Sequence, residues 1–203
     1  MRLGILGGTF DPIHLGHLAA ARAAIECAHL DRVVFIPSAE PPHRAMAVAP
    51  AKDRLAMTRS AVEGEPRFEV SDIEISRGGV SYTSDTLSEL RQARPDDELF
   101  LILGWDAASL FSSWHEPHRV SELASIVIVA RPGTENPGPA ELAAAGLETA
   151  RVINCLVGTP DVSASEVRDL LAAHESVAGK VPAAVARYIT SNHLYGDNRS
   201  VGT

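Results

Sequence analysis

Short, wholly apolar runs constrain the fold of this chain more than any other feature. Val33-Val34-Phe35-Ile36 and Ile126-Val127-Ile128-Val129 are rich in β-branched residues and hold no polar position. Successive side chains of a strand point to opposite faces, so a run apolar at every position is buried on both. That is the condition of a strand inside a parallel sheet with helices on each side. Runs of this kind predict strands over residues 3–6, 32–37, 68–75, 98–103, 125–130 and 151–155. Between them, helical patterns cover 15–28, 51–62, 83–93, 106–111, 117–123, 139–145, 165–173 and 182–191. Strands alternating with helices imply an α/β fold with a doubly wound parallel sheet. Ligands in that architecture bind beyond the C-terminal ends of the strands.

A length of 203 residues suits one domain, read as residues 1–195, with 196–203 as a frayed tail. Pro132-Gly133-Thr134-Glu135-Asn136-Pro137-Gly138-Pro139 reads as a surface loop within that domain. The formal charge of −8 provides no basic stripe to displace counterions, so a nucleic-acid partner is not expected. A nucleotide substrate needs only a local positive pocket. Cys27 and Cys155 lie far apart with no CxxC partner, and they read as two buried thiols in a reducing compartment. Met1-Arg2-Leu3 enters a strand at once, and no apolar run approaches the ~20 residues of a membrane span. The expectation is a cytoplasmic protein without a membrane partner, for which a homo-oligomer stays open.

The first strand ends in Gly7-Gly8-Thr9-Phe10-Asp11-Pro12-Ile13-His14-Leu15-Gly16-His17, which leads into an alanine-rich helix. His14 and His17 are three residues apart and share one helix face. They fall at a helix N-terminus, where backbone N–H groups and the dipole favour an anion. Gly16 between them has no side chain to obstruct a phosphate. The segment therefore suits a polyphosphate. Other phosphate and hydrolase signatures are missing. The only lysines, Lys52 and Lys180, stand in no GxxxxGK[ST] context, and there is neither a GxGxxG after the first strand nor a GxSxG elbow. Zinc ligation through His14 and His17 lacks a third ligand nearby, and simple helix capping by the pair is the other plain alternative. His29, His174 and His193 have no motif context and read as surface or packing residues, while His118 goes with the Trp114 loop without an assigned role.

The segment at residues 7–17 resembles the HxGH signature of the nucleotidylyltransferase superfamily, made specific by the preceding Gly-Gly-Thr-Phe-Asp-Pro. Four further segments resemble the bacterial nicotinate-mononucleotide adenylyltransferase family, in family order. They are Pro37-Ser38-Ala39-Glu40-Pro41-Pro42-His43-Arg44, Ser81-Tyr82-Thr83-Ser84-Asp85-Thr86-Leu87, Gly104-Trp105-Asp106 followed by Trp114, and Val162-Ser163-Ala164-Ser165-Glu166-Val167-Arg168. The resemblance implies a Rossmann-like fold and transfer of the adenylyl group of ATP to nicotinate mononucleotide, with Mg2+ carried by ATP.

It also implies roles. His14, His17 and Arg168 would be catalytic. ATP would meet Gly7, Gly8, Thr9, Phe10, His14, Gly16, His17, Gly104, Asp106, Arg131, Ser163, Ser165 and Arg168. Nicotinate mononucleotide would meet Gly8, Thr9, Arg44, Tyr82, Thr83, Asp106, Trp114 and His115, with Trp114 stacking on the pyridine ring and backbone N–H groups of Thr83 and His115 facing its carboxylate. No protein residue is expected as a metal ligand. Several residues have a plainer alternative: turn chemistry against a magnesium-linked role for Asp11, capping for Ser163 and Asp106, core packing for Trp114. Ser165 stands where the family more often has threonine, and His115 departs from the residue usual beside the tryptophan. Two rivals remain: another acceptor, such as nicotinamide mononucleotide or phosphopantetheine, and a non-catalytic nucleotide sensor.

Overall fold

A computed structural model describes residues 1–40, 47–130, 137–148, 150–155 and 160–196. In chain order its elements are β1 (Arg2–Gly8), α1 (Leu15–Cys27), β2 (Arg32–Pro37), α2 (Ala51–Val62), β3 (Phe68–Val70), α3 (Ile73–Arg77), α4 (Thr83–Ala93), β4 (Glu98–Gly104) and α5 (Trp105–Ala108). A 3-10 turn (Phe111–Ser113) follows, then α6 (Pro117–Leu123), β5 (Ser125–Val129), α7 (Pro139–Ala144), β6 (Val152–Cys155), α8 (Ala164–Ala172) and α9 (Ala183–Ser191).

The six strands form one parallel sheet in the order β3-β2-β1-β4-β5-β6. The α/β doubly wound class expected from the apolar runs is the fold observed. Alternate residues of each strand feed two separate cores. Leu6, Val33, Phe35, Ile102, Val127 and Val129 face one, with Leu18 of α1, Val167 of α8 and Val185 of α9. Leu3, Ile5, Val34, Ile36, Ile126 and Ile128 face the other, with Leu87 of α4 and Val120 of α6. Burial on both faces is the reason these runs need no polar residue.

From β1 the chain winds outward through β2 and β3, and then returns to β4 on the other side of β1. The point between β1 and β4 is thus a topological switch, and a crevice opens there beyond the strand ends. Among the described residues no helix is long and apolar enough to cross a membrane.

Three expectations need correction. Residues 68–75 are not one strand: β3 stops at Val70 and α3 begins at Ile73. The last sheet bond runs from Ser71 N–H to the Phe35 carbonyl, the Asp72 carbonyl then accepts the Ser76 N–H at 2.7 Å, and Gly78, at φ 72°, ends the turn. The alternation of apolar and polar residues there came from two successive elements. Residues 106–111 are split between α5 and the 3-10 turn rather than forming one helix. Cys27 and Cys155 are not free thiols but a disulfide, with Cα atoms 5.8 Å apart. Packing of α1 against β6 brings together two residues separated by 128 positions, a proximity that spacing along the chain does not encode. The loop expected over 132–139 lies outside the described residues up to position 136, and Pro139 opens α7. The tail from residue 197 onward also lies outside them.

Candidate active site

His14 is the N-cap of α1 and His17 its third residue. The His14 N–H donates to His17 Nδ1 at 3.2 Å. A neutral His17 ring therefore carries its proton on Nε2. The two imidazoles stack with centroids 3.7 Å apart, so the i, i+3 spacing does bring them onto one face. Gly16 leaves room for the His14 ring. A Cβ at this position would come within 3.0 Å of His14 Nδ1 and 3.4 Å of the Pro160 carbonyl. Gly7 is exposed at the end of β1, and nothing lies within 4 Å of where a Cβ would stand. The Phe10 ring is buried, edge-on to His17 at 5.0 Å and tilted against Phe35 at 6.0 Å, so only its backbone is left to face a nucleotide.

The N-terminus of α8 converges on the same place. Ser163 is its N-cap and accepts the Glu166 N–H at 3.1 Å, so the capping alternative is realised. Glu166 in turn receives Lys180 at 2.6 Å, and this contact holds its carboxyl below the usual range. Arg168 donates to Ser165 Oγ at 3.3 Å and to the Asp11 carbonyl at 2.7 Å. A cation 157 positions away is thereby set beside the loop that precedes His14.

Gly104 and Asp106 lie at the end of β4, the neighbour of β1 across the switch point. The N-cap of α5 is Gly104, so Asp106 sits exposed in the first turn and is not the cap. Tyr82 caps α4, Thr83 begins it, and the Tyr82 ring lies 4.2 Å from that of His115. Trp114 is half-buried and packs on Phe111 at 5.4 Å, which leaves both expectations for it, packing and an open ring face, physically compatible. Two segments distant in sequence, 82–83 and 114–115, thus meet. His43 and Arg44, and likewise Arg131, lie outside the described residues. Among the described residues no group of three or more His, Cys, Asp or Glu is arranged to hold a metal ion.

Arg54 and Tyr195 had no place in the sequence reading, and Asp11 had a smaller one than the structure gives it. The Asp11 carboxylate does more than fix a local turn: it accepts the N–H groups of Val48 and Ala49 at 2.7 and 3.0 Å and the Tyr195 hydroxyl at 2.7 Å. Arg54 is buried beneath the same loop, and burial lowers its pKa. Arg54 left one legible signal, since it stands on the buried face of α2 with Met57, Thr58, Ala61 and Val62. Tyr195 left none, because its partner is 184 residues away.

The site is thus a paired-histidine helix start beside the switch point of a parallel sheet. The family model described as cytidylyltransferase-like matches residues 5–170, which makes the chain a member of that nucleotidyltransferase class. A relative from Thermus thermophilus, named "probable nicotinate-nucleotide adenylyltransferase", is 47% identical over 96% of this chain and 100% of its own length. One of the same name from Herpetosiphon aurantiacus is 44% identical over 96% and 98%. The chain belongs to the nicotinate-nucleotide adenylyltransferase family. The solved Plasmodium falciparum nicotinic acid mononucleotide adenylyltransferase, complexed with NaAD, is similar in fold, with a TM-score of 0.78 at 18% identity over 96% of this chain and 97% of that one.

Proposed function

We propose that this chain transfers the adenylyl group of ATP to nicotinate mononucleotide, forming nicotinate adenine dinucleotide and pyrophosphate. The reaction is a step of NAD biosynthesis, assigned here to the cytoplasm and to one domain of residues 1–195. The observation that carries the reading is the His14–His17 pair, stacked at 3.7 Å where α1 opens beside the sheet's switch point. The names of the relatives support the choice of acceptor.

A phosphate oxygen of the acceptor attacks the α-phosphorus. The bond from that phosphorus to the bridging oxygen breaks, and pyrophosphate leaves with the electron pair. The attacking oxygen is already anionic at neutral pH, so no general base is needed. What remains is in-line alignment and neutralisation of charge. His17 donates from Nε2–H to the α-phosphoryl oxygens and His14 supports the triphosphate. Arg168, with Ser165 and Ser163, clamps the leaving phosphates, a task suited to a guanidinium. Gly7, Gly8, Thr9, Phe10 and Gly16 let backbone approach the nucleotide. Gly104 and Asp106 take ribose hydroxyls. Trp114 stacks on the cationic pyridine ring, flanked by Tyr82, with backbone N–H groups of Thr83 and His115 on its carboxylate. Arg44 and Arg131 are assigned on the family resemblance alone, to the acceptor and to ATP.

Transfer from ATP is divalent-ion chemistry, and we assign the ion as Mg2+. Both Asp11 oxygens accept N–H or O–H donors, which supports a positioning role for this carboxylate over a magnesium-linked one. Brought in with the triphosphate, such an ion would supply charge neutralisation as pyrophosphate departs.

His17→Ala tests the reading. The expected result is a loss of about 10²–10³-fold in kcat with ATP affinity preserved, the signature of a donor used in the transition state. Full turnover in this variant would refute the assigned chemistry.

A further inference from the structure

The Arg54 guanidinium is 1% exposed and donates to three backbone carbonyls: Nε to Ala49 at 3.2 Å, one terminal nitrogen to Thr9 at 2.6 Å, the other to Ala39 at 3.0 Å. These carbonyls come from three separate segments: the loop after β1, the loop after β2 and the approach to α2. The balancing charge is Asp11, 5% exposed, whose oxygens take Val48 N–H, Ala49 N–H and the Tyr195 hydroxyl. Ala49 is gripped at both ends, its N–H by Asp11 and its carbonyl by Arg54. Tyr195 is itself buried, and burial together with the bond to Asp11 pushes its pKa up, so it stays a hydroxyl donor.

Such a network costs a great deal to desolvate. An apolar core of the same volume is often at least as stable, so buried charge is weak support for a stability role. What this network does hold is geometry. Asp11 precedes His14 by three residues, and its carbonyl receives Arg168. The loop that carries Thr9 and Asp11 therefore sets both ends of the candidate site at once.

We propose that Arg54 and Tyr195 are positioning residues for adenylyl transfer, fixing the loop at residues 9–12 and through it the relative placement of His14, His17 and Arg168. This inference rests on the function proposed above. Neither residue touches a substrate. Both act through Asp11 and the Thr9 carbonyl, so the chain beyond α9 is a working part of the site.

The test uses the full chain with Tyr195→Phe, which removes one hydroxyl and keeps the ring, and Arg54→Lys, which keeps the charge and gives up the three-carbonyl fork. ATP affinity, kcat, KM for the acceptor and thermal midpoint are measured together. The expected result is a kcat lowered at least about tenfold in each variant, since small misplacements of reacting groups are costly. The KM of the acceptor and the ATP affinity stay within about threefold of wild type, and Tyr195→Phe keeps a melting midpoint close to wild type. Unchanged kcat in well-folded Tyr195→Phe overturns the proposal, as does a kcat loss in either variant that is fully recovered on cooling. Wild type is assayed with nicotinate mononucleotide, nicotinamide mononucleotide and phosphopantetheine. If it prefers another acceptor, the proposed substrate falls, while the variant-to-wild-type ratio read with that acceptor still decides the roles of Arg54 and Tyr195. A wild type inert with all three defeats both.

Discussion

Glu74 shows how a single buried carboxyl supports the turn that leads into α4. It is 8% exposed on α3 and accepts the Thr86 hydroxyl at 2.8 Å, while Arg77 donates to Thr86 Oγ1 and pairs with Glu89. Ser81 bonds it too and receives the Ala39 N–H, so one carboxyl underpins the turn that presents Tyr82 and Thr83. Burial raises its pKa above the ordinary 4.5. An acid with a raised folded pKa contributes stability that is fully present below its unfolded value and is lost as pH rises through the folded one. Glu74→Gln, which keeps an acceptor and removes the charge, is expected to melt a few degrees above wild type at pH 8, with the gap closing below pH 4.5. Melting curves across that range check this, and a variant less stable at high pH than at low pH relative to wild type would contradict it. Tyr195 was not legible as a site support, and Arg54 only as a charge on a buried helix face, because what defines them is supplied by residues distant in sequence; Glu74 was illegible because its partner Thr86 sits on a different helix. The His14–His17 pair was legible, since helix geometry alone fixes the relation of residues three apart.

Among the elements, α1 is secured at both ends. Its start carries the histidines and its last residue, Cys27, is joined to Cys155 at the end of β6. The cross-link spans 128 positions, for which loop-closure entropy allows up to about 5 kcal/mol of stabilisation. Reduction is expected to lower the wild-type melting midpoint by about 5–15 °C. A Cys27→Ser variant should already melt at the lower temperature and not respond to reductant. An identical midpoint with and without reductant would show that the bridge carries no stability. Most elements were readable from their own residues, as with α2, α4 and β2, whose observed limits equal the expected ones. Two stretches were not: 106–111 divides between α5 and a 3-10 turn, and α3 fell where apolar spacing suits either a strand or a short helix and the reach of the sheet decides. The disulfide was unreadable for a different reason, being a consequence of how elements pack.

On the scale of the whole molecule, two cores on opposite faces of one parallel sheet hold β1 and β4 side by side, and the reversal of winding between them opens the crevice. The apolar runs announced the class of fold, because each strand records its own burial. The order β3-β2-β1-β4-β5-β6 is a property of packing and is not written in any single run. Beside the switch point stand His14 and His17 from one helix start and Arg168 from another, while the rings of Tyr82 and His115 meet each other from two separate segments. Adenylyl transfer to nicotinate mononucleotide is the function proposed for this arrangement. Pyrophosphate release with ATP and Mg2+, compared across nicotinate mononucleotide, nicotinamide mononucleotide and phosphopantetheine, is the deciding measurement. A strong preference, in kcat/KM, for nicotinate mononucleotide is expected. Equal use of the amide, or turnover with phosphopantetheine alone, would refute the assignment.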